Sequence, residues 1–192
     1  MNPLLTGLPT QLEVAGETVE IDSDYRTALL IMTAYEDRSL TPAEQHAVLV
    51  ARLYRRLPAD YPAAVAAGLA FLNFDDRDKP QEEREQRESP RLYSWKYDGK
   101  YIFAAVNKAL NGRLCTGGFV HWWEFLMGFM EIGSDCMLSR MIYLRKQFAE
   151  GKLTKEERRQ YAELRDILEF PEELTDEEQA AADVFLARLK GE

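Results

Sequence analysis

Four side chains in this chain are of the types that hold a transition metal or attack a carbonyl: His46, Cys115, His121 and Cys136. Thiolates and imidazoles together make a tetrahedral zinc set. A thiol beside an imidazole makes a nucleophile with its base. The spacing favours neither chemistry. No C-x-x-C or H-x-x-x-H pair preorganises two ligands on one turn, and Gly117-Gly118 separates Cys115 from His121 with no third group to orient the imidazole. Buried structural cysteines are the simpler expectation. Phosphate-cradling and nucleophile-elbow glycine motifs are absent from the sequence. Of the acidic clusters Glu172-Glu173 and Asp176-Glu177-Glu178, the second fits a helix's first turn, where negative charge complements the dipole, and neither reads as a catalytic carboxylate pair. The residues therefore predict a protein without catalytic chemistry, metal or cofactor, with a small cysteine-dependent enzyme using Cys115 and His121 as the remote alternative.

Charge narrows the partners. The 192 residues carry a net charge of −9, which excludes nucleic acid and anionic membrane as expected partners, since both need a basic face. Residues 150–192 hold 13 acidic and 7 basic residues, so the C-terminal part reads as an acidic, solvated arm. No apolar run reaches the length of a membrane span. The N-terminal residues do not resemble a secretory signal, so reduced thiols in a cytoplasm are expected.

The elements that must position these groups are mainly helical. Leu12 to Ile21 alternates apolar and polar residues around Ala15-Gly16 and predicts a β-hairpin. From Asp22 the period becomes helical, with Asp22 or Asp24 as N-cap and Tyr25, Leu29 and Met32 on one face. Thr41-Pro-Ala-Glu44 is a capping box opening a helix to about Arg56, with Val50, Leu53, Tyr54 and Leu57 as its stripe. An alanine-rich helix follows from Pro62 to Leu72, small enough along Ala63, Ala64, Ala66, Ala67 and Gly68 for a neighbour to approach closely. Asp98 caps a helix carrying Ile102, Ala105 and Val106 that ends at Asn111-Gly112. Two further helices carry Trp122, Phe125, Phe129 and Met137, Met141, Leu144. Capping boxes at Thr154-Glu157 and Thr175-Glu178 open the last two. The expected fold is a mainly α, compact helical domain of about eight helices with a small N-terminal β-hairpin. Its expected divisions are 1–74, a charged mobile linker over 75–90 without specific function, an aromatic-rich helical core over 91–150, and acidic C-terminal helices over 151–192, within one structural domain.

All three tryptophans and both cysteines lie between Tyr93 and Arg145, centred on His121-Trp122-Trp123-Glu124-Phe125. Neighbouring helical residues point about 100° apart. With Trp122 on the stripe of Phe125 and Phe129, Trp123 is expected at the surface as a binding anchor. Trp122, Phe125, Phe129, Ile102, Val106 and Met141 are expected in one buried cluster. His121 is expected as a partly buried polar residue at a helix start. Arg145 is expected to pair with Asp98, Glu124 or Glu131, or to face a partner, and Arg26 carries the same ambiguity.

Taken in order, Leu8-Pro9, Val14-Ala-Gly16-Glu, Glu20-Ile21-Asp-Ser-Asp24-Tyr25-Arg26, Tyr93-Ser-Trp95, Asp98-Gly-Lys-Tyr101-Ile102, His121-Trp122-Trp123-Glu124-Phe125 and Met141-Ile-Tyr143-Leu-Arg145 resemble the bacteriophage gene-product-fifteen family. The resemblance covers about Leu8 to Leu168. One departure is Asn111 to Thr116, which lacks an aspartate present in that family, so no role tied to that carboxylate carries over. The resemblance implies a siphophage or prophage tail-region protein, a tail assembly chaperone for the tape-measure protein or the major tail protein, working beside an upstream tail assembly chaperone. A structural component of the finished tail is the alternative. Trp123, His121, Trp122, Arg145 and Met127 are the expected partner-binding residues, because a Met-rich helical block (Met127, Met130, Met137, Met141) can accommodate an amphipathic helix.

Overall fold

A computed structural model of the chain describes residues 3–74 and 90–171. Residues 75–89 of the expected linker over 75–90, and the helix expected at Thr175, lie outside them. After a short helix α1 (Pro3–Thr6), strands β1 (Gln11–Val14) and β2 (Glu17–Glu20) pair antiparallel, with Leu12 opposite Val19 and Val14 opposite Glu17. Ala15 and Gly16 both have positive φ, 50° and 84°. That conformation gives a two-residue turn the twist of its strands, and glycine supplies the second position without strain. Val14, Val19 and Ile21 point inward and are buried, so the hairpin docks on the helices as expected.

Helix α2 (Tyr25–Glu36) is capped by Asp24, whose side chain accepts from the Arg26 N–H. Helix α3 (Pro42–Leu53) carries both halves of the Thr41–Glu44 capping box. It stops three residues before Arg56. The backbone there turns to the hairpin instead: Ile21 bridges Tyr54, the Asp22 N–H donates to the Leu53 carbonyl, and the Arg55 N–H donates to the Glu20 carbonyl. Leu57, expected in the stripe, is consequently exposed. Helix α4 (Tyr61–Leu72) packs on α3 at Gly68, where an added Cβ would sit 2.5 Å from a Leu49 methyl and 3.1 Å from one of Leu53. The small residues of α4 thus set a close helix crossing.

Helices α5 (Gly99–Ala109), α6 (Trp122–Met130) and α7 (Met137–Ala149) follow, with a 3₁₀ turn over Arg113–Thr116 between α5 and α6. The single helix expected from Thr154 breaks at Leu164 into α8 (Lys155–Glu163) and α9 (Arg165–Leu168), with the Thr154–Glu157 capping box intact. The described residues thus hold nine α-helices and one hairpin, a mainly α fold. None of these helices is long and apolar enough to cross a membrane.

Two apolar clusters form. The larger joins the hairpin to α2–α6 and contains Trp122, Phe125, Ile102 and Val106, with Phe129 packed against it. Met141, expected in that group, belongs instead to a second cluster with Leu144, Leu153, Tyr161 and Leu168. The correction has a simple cause. Residues 151–168 fold back and cover the face of α7 that carries Met141.

Candidate functional site

The His121-Trp122-Trp123 block starts α6 and is buried throughout. His121, Trp122 and Trp123 are 3%, 0% and 1% exposed, which corrects the expectation that Trp123 is a surface anchor. The 100° argument assumed that α6 buries one narrow face. In fact α2 and α5 flank the helix while the end of α4 covers its start. Trp123 packs between Phe71 (centroids 5.9 Å) and Phe74 (4.8 Å), while Trp122 meets Trp95 (5.9 Å) and Phe125 (5.6 Å). Phe125 in turn stacks on Tyr25 at 5.0 Å.

The polar atoms of this block have specific work. A helix leaves its last carbonyls without intrahelical donors. The Trp122 indole N–H donates to the Leu72 carbonyl at 3.0 Å, and that of Trp123 to the Phe71 carbonyl at 2.8 Å. The paired tryptophans therefore close the end of α4. His121 caps α6: its Nδ1 accepts from the Trp123 N–H at 3.0 Å, which leaves Nε2 as the donor to the Pro9 carbonyl at 2.9 Å. Burial pushes the His121 pKa down, against the smaller upward pulls of the Pro9 carbonyl and the Glu124 carboxylate. Backbone bonds from Trp122 to Ser23 and from Tyr25 to Val120 join the block to the start of α2. Arg26 completes the joint by pairing with Asp24 and donating to the Gly117 and Gly118 carbonyls.

Arg145 forms a second buried centre. Of its three candidate partners it pairs with Asp98, at 2.6 and 3.0 Å, with side chains 5% and 2% exposed. Its remaining N–H groups donate to the carbonyls of Leu92, Ile167 and Leu168, so all five donors of the guanidinium are used. Arg145 is not available to a partner, which corrects the second half of its expectation. Asp98 precedes α5 but makes no side-chain cap; its carboxylate instead holds Arg145 and the Ser94 N–H.

The four groups with metal or nucleophile chemistry have separate neighbours. Cys115 Sγ accepts from the Asn107 amide, Cys136 Sγ meets the Ser139 hydroxyl, His46 lies against Tyr35, and both His121 nitrogens are engaged as above. Among the described residues no three His, Cys, Asp or Glu side chains are grouped as a metal site.

Among the cavities open to a ligand, an apolar groove of about 440 Å³ lies where α2, α4 and α6 meet; larger ones of about 560 and 730 Å³ lie beside Asp24 and beside Tyr143, lined by more charged and polar side chains. Met32, Leu72, Phe74, Leu126 and Met130 line the apolar groove, with Tyr93 and Trp95 as one wall and Trp122 beneath. Met130 is 62% exposed, and Met127, one turn earlier on α6, is 36% exposed. Of the five expected binding residues only Met127 is at the surface, and Trp122 reaches the groove as part of its lining. Sequence reasoning missed Met32, Phe74 and Tyr93 because they come from three distant segments. Their one common signal is apolar character.

No curated protein and no solved structure matches the chain. The pattern of the family described as Bacteriophage Gp15 protein matches residues 4–170, a span that includes the hairpin, the His-Trp-Trp joint, the groove and the Arg145 centre. By that match, the chain belongs to the bacteriophage Gp15 protein family.

Proposed function

We propose that this phage protein is a non-catalytic tail assembly chaperone, acting in the host cytoplasm, whose groove holds an amphipathic helix of the tape-measure protein. The groove is the observation that carries the reading. Its walls are aromatic and methionine side chains, which repack around varied apolar anchors. Charge selects the occupant's flanks. The exposed Glu131 follows Met130, and the chain carries −9 overall, so the fitting helix has basic residues beside its apolar stripe. A non-catalytic role is supported by His121, whose two nitrogens are both committed to backbone groups and so are not free to activate the Cys115 thiol. The major tail protein and the upstream tail assembly chaperone are further partners of the same assembly step.

The test is co-expression with the tape-measure protein and pull-down of wild type and Met130→Asp. Met130 is largely exposed, so the variant should keep its thermal midpoint while losing most of the bound tape-measure protein. Undiminished binding would remove the groove from the reading. Mass spectrometry of purified virions addresses residence: a chaperone is depleted from them, whereas a structural component of the tail is present in stoichiometric amount.

A further inference from the structure

We propose that residues 91–98 are a releasable wall of the groove, held closed by a clip in which Phe170 sits between Arg91 and Arg145. The proposal starts from how this segment is held. Its backbone bonds go chiefly to side chains rather than to a ladder. Trp95 and Lys96 N–H groups donate to the Glu36 carboxylate at 2.9 and 3.2 Å, and the Ser94 N–H donates to Asp98 at 2.9 Å. The Ser94 hydroxyl donates to Glu36 and accepts from the Tyr97 N–H. Two carboxylates therefore hold the segment's backbone, one from the end of α2 and one of its own, while the Trp95 ring packs on Trp122, Phe125 and Phe129.

Each carboxylate is matched by an arginine: Arg91 meets Glu36 at 2.7 Å, and Arg145 meets Asp98 at 2.6 Å. The two guanidiniums share one cover. The Phe170 ring lies 5.0 Å from the Arg91 guanidinium carbon and 4.1 Å from that of Arg145, with the Tyr97 ring 6.3 Å away. A ring face attracts cations and shields them from water. Phe170 is placed there by the turn whose Ile167 and Leu168 carbonyls Arg145 holds. The same segment presents Tyr93 and Trp95 to the groove. A change at the C-terminal turn thereby reaches the groove wall through Phe170, two arginines and two carboxylates. The consequence for binding rests on the reading of the groove as a docking site; the motion itself does not.

Hydrogen exchange by mass spectrometry on the full chain tests the clip. In Phe170→Ala the amides of residues 94–97 should exchange at least tenfold faster, with those of α2, α3 and α4 unchanged. Phe170→Leu fills the space without a ring face and should give an intermediate rate. Wild-type exchange over 94–97 in Phe170→Ala overturns the proposal, as does equal acceleration across α2–α4, which would signal general destabilisation. Wild-type exchange in Phe170→Leu overturns the cation–ring clip. Met130→Asp should leave exchange over 94–97 unchanged. A loss of the docking reading in pull-downs and a loss of the clip in exchange are thus read separately.

Discussion

At the end of α4 two indole N–H groups meet the carbonyls of Phe71 and Leu72; at the end of α9 one guanidinium meets those of Ile167 and Leu168. The task is the same, since both helix ends leave terminal carbonyls without intrahelical donors. The chemistry differs. An indole brings a large apolar body with one donor, so Trp122 and Trp123 can lie inside the main aromatic cluster without a counter-charge. A guanidinium brings five donors and a full charge, so Arg145 needs Asp98 as its counter-charge. The neutral joint is tied to packing. The ionic joint is tied to a single counter-charge, and it fails differently.

That difference predicts the largest effect. Asp98→Ala should cost about 3–5 kcal/mol, because it strands the Arg145 charge in a buried site. Replacing both residues, Asp98→Leu with Arg145→Met, should recover much of the loss, since apolar side chains of similar volume do not strand a charge. Urea denaturation of the two variants checks this. Equal losses in the single and double variants would mean that the carbonyl contacts of Arg145, not the ion pair, carry the joint.

A smaller effect separates the two tryptophans. Trp122→Phe removes the indole donor to the Leu72 carbonyl and should cost about 1–3 kcal/mol from the unpaired acceptor, beyond any packing change. Trp123→Phe should cost less, because the Phe71 carbonyl also accepts from the Phe74 N–H. Denaturation midpoints in the reverse order would break the assignment of the paired indoles as the closure of α4.

How far the sequence foretold these joints depends on the distance between their parts. The Thr41–Glu44 and Thr154–Glu157 capping boxes were readable because each is complete within four residues. The left-handed turn at Ala15-Gly16 was readable for the same reason. Arg145 was readable as a charge needing a partner, but choosing Asp98 over Glu124 required knowing that α7 runs beside the start of α5. Glu124 pairs with Arg113 instead. Trp123 was misread because a single helix's stripe does not reveal a second covering element, here Phe71 and Phe74 at the end of α4. The groove was unreadable, since α2, α4, α6 and the segment before α5 contribute its walls and none shows it alone.

The smallest expected effect is a pH dependence confined to the neutral joint. His121 must be neutral to accept the Trp123 N–H at Nδ1, and burial lowers its pKa from the ordinary 6.5. The unfolded chain then binds the proton more readily than the folded one. The stability from this group is fully present above pH 6.5 and falls as the pH drops from there towards the lowered folded value. Carboxylates held low by hydrogen bonds, such as Glu44 by Thr41 and Glu157 by Tyr143, contribute in a separate window. Their stabilisation is lost only as the pH falls below the ordinary carboxylate range. His121→Asn keeps a side-chain acceptor at the N-cap and cannot titrate. Urea midpoints of this variant should therefore stay level across the pH range just below 6.5 where the wild type declines. A parallel decline in both proteins would place the pH sensitivity elsewhere, and would leave the His-Trp-Trp joint as insensitive to protons as its indoles.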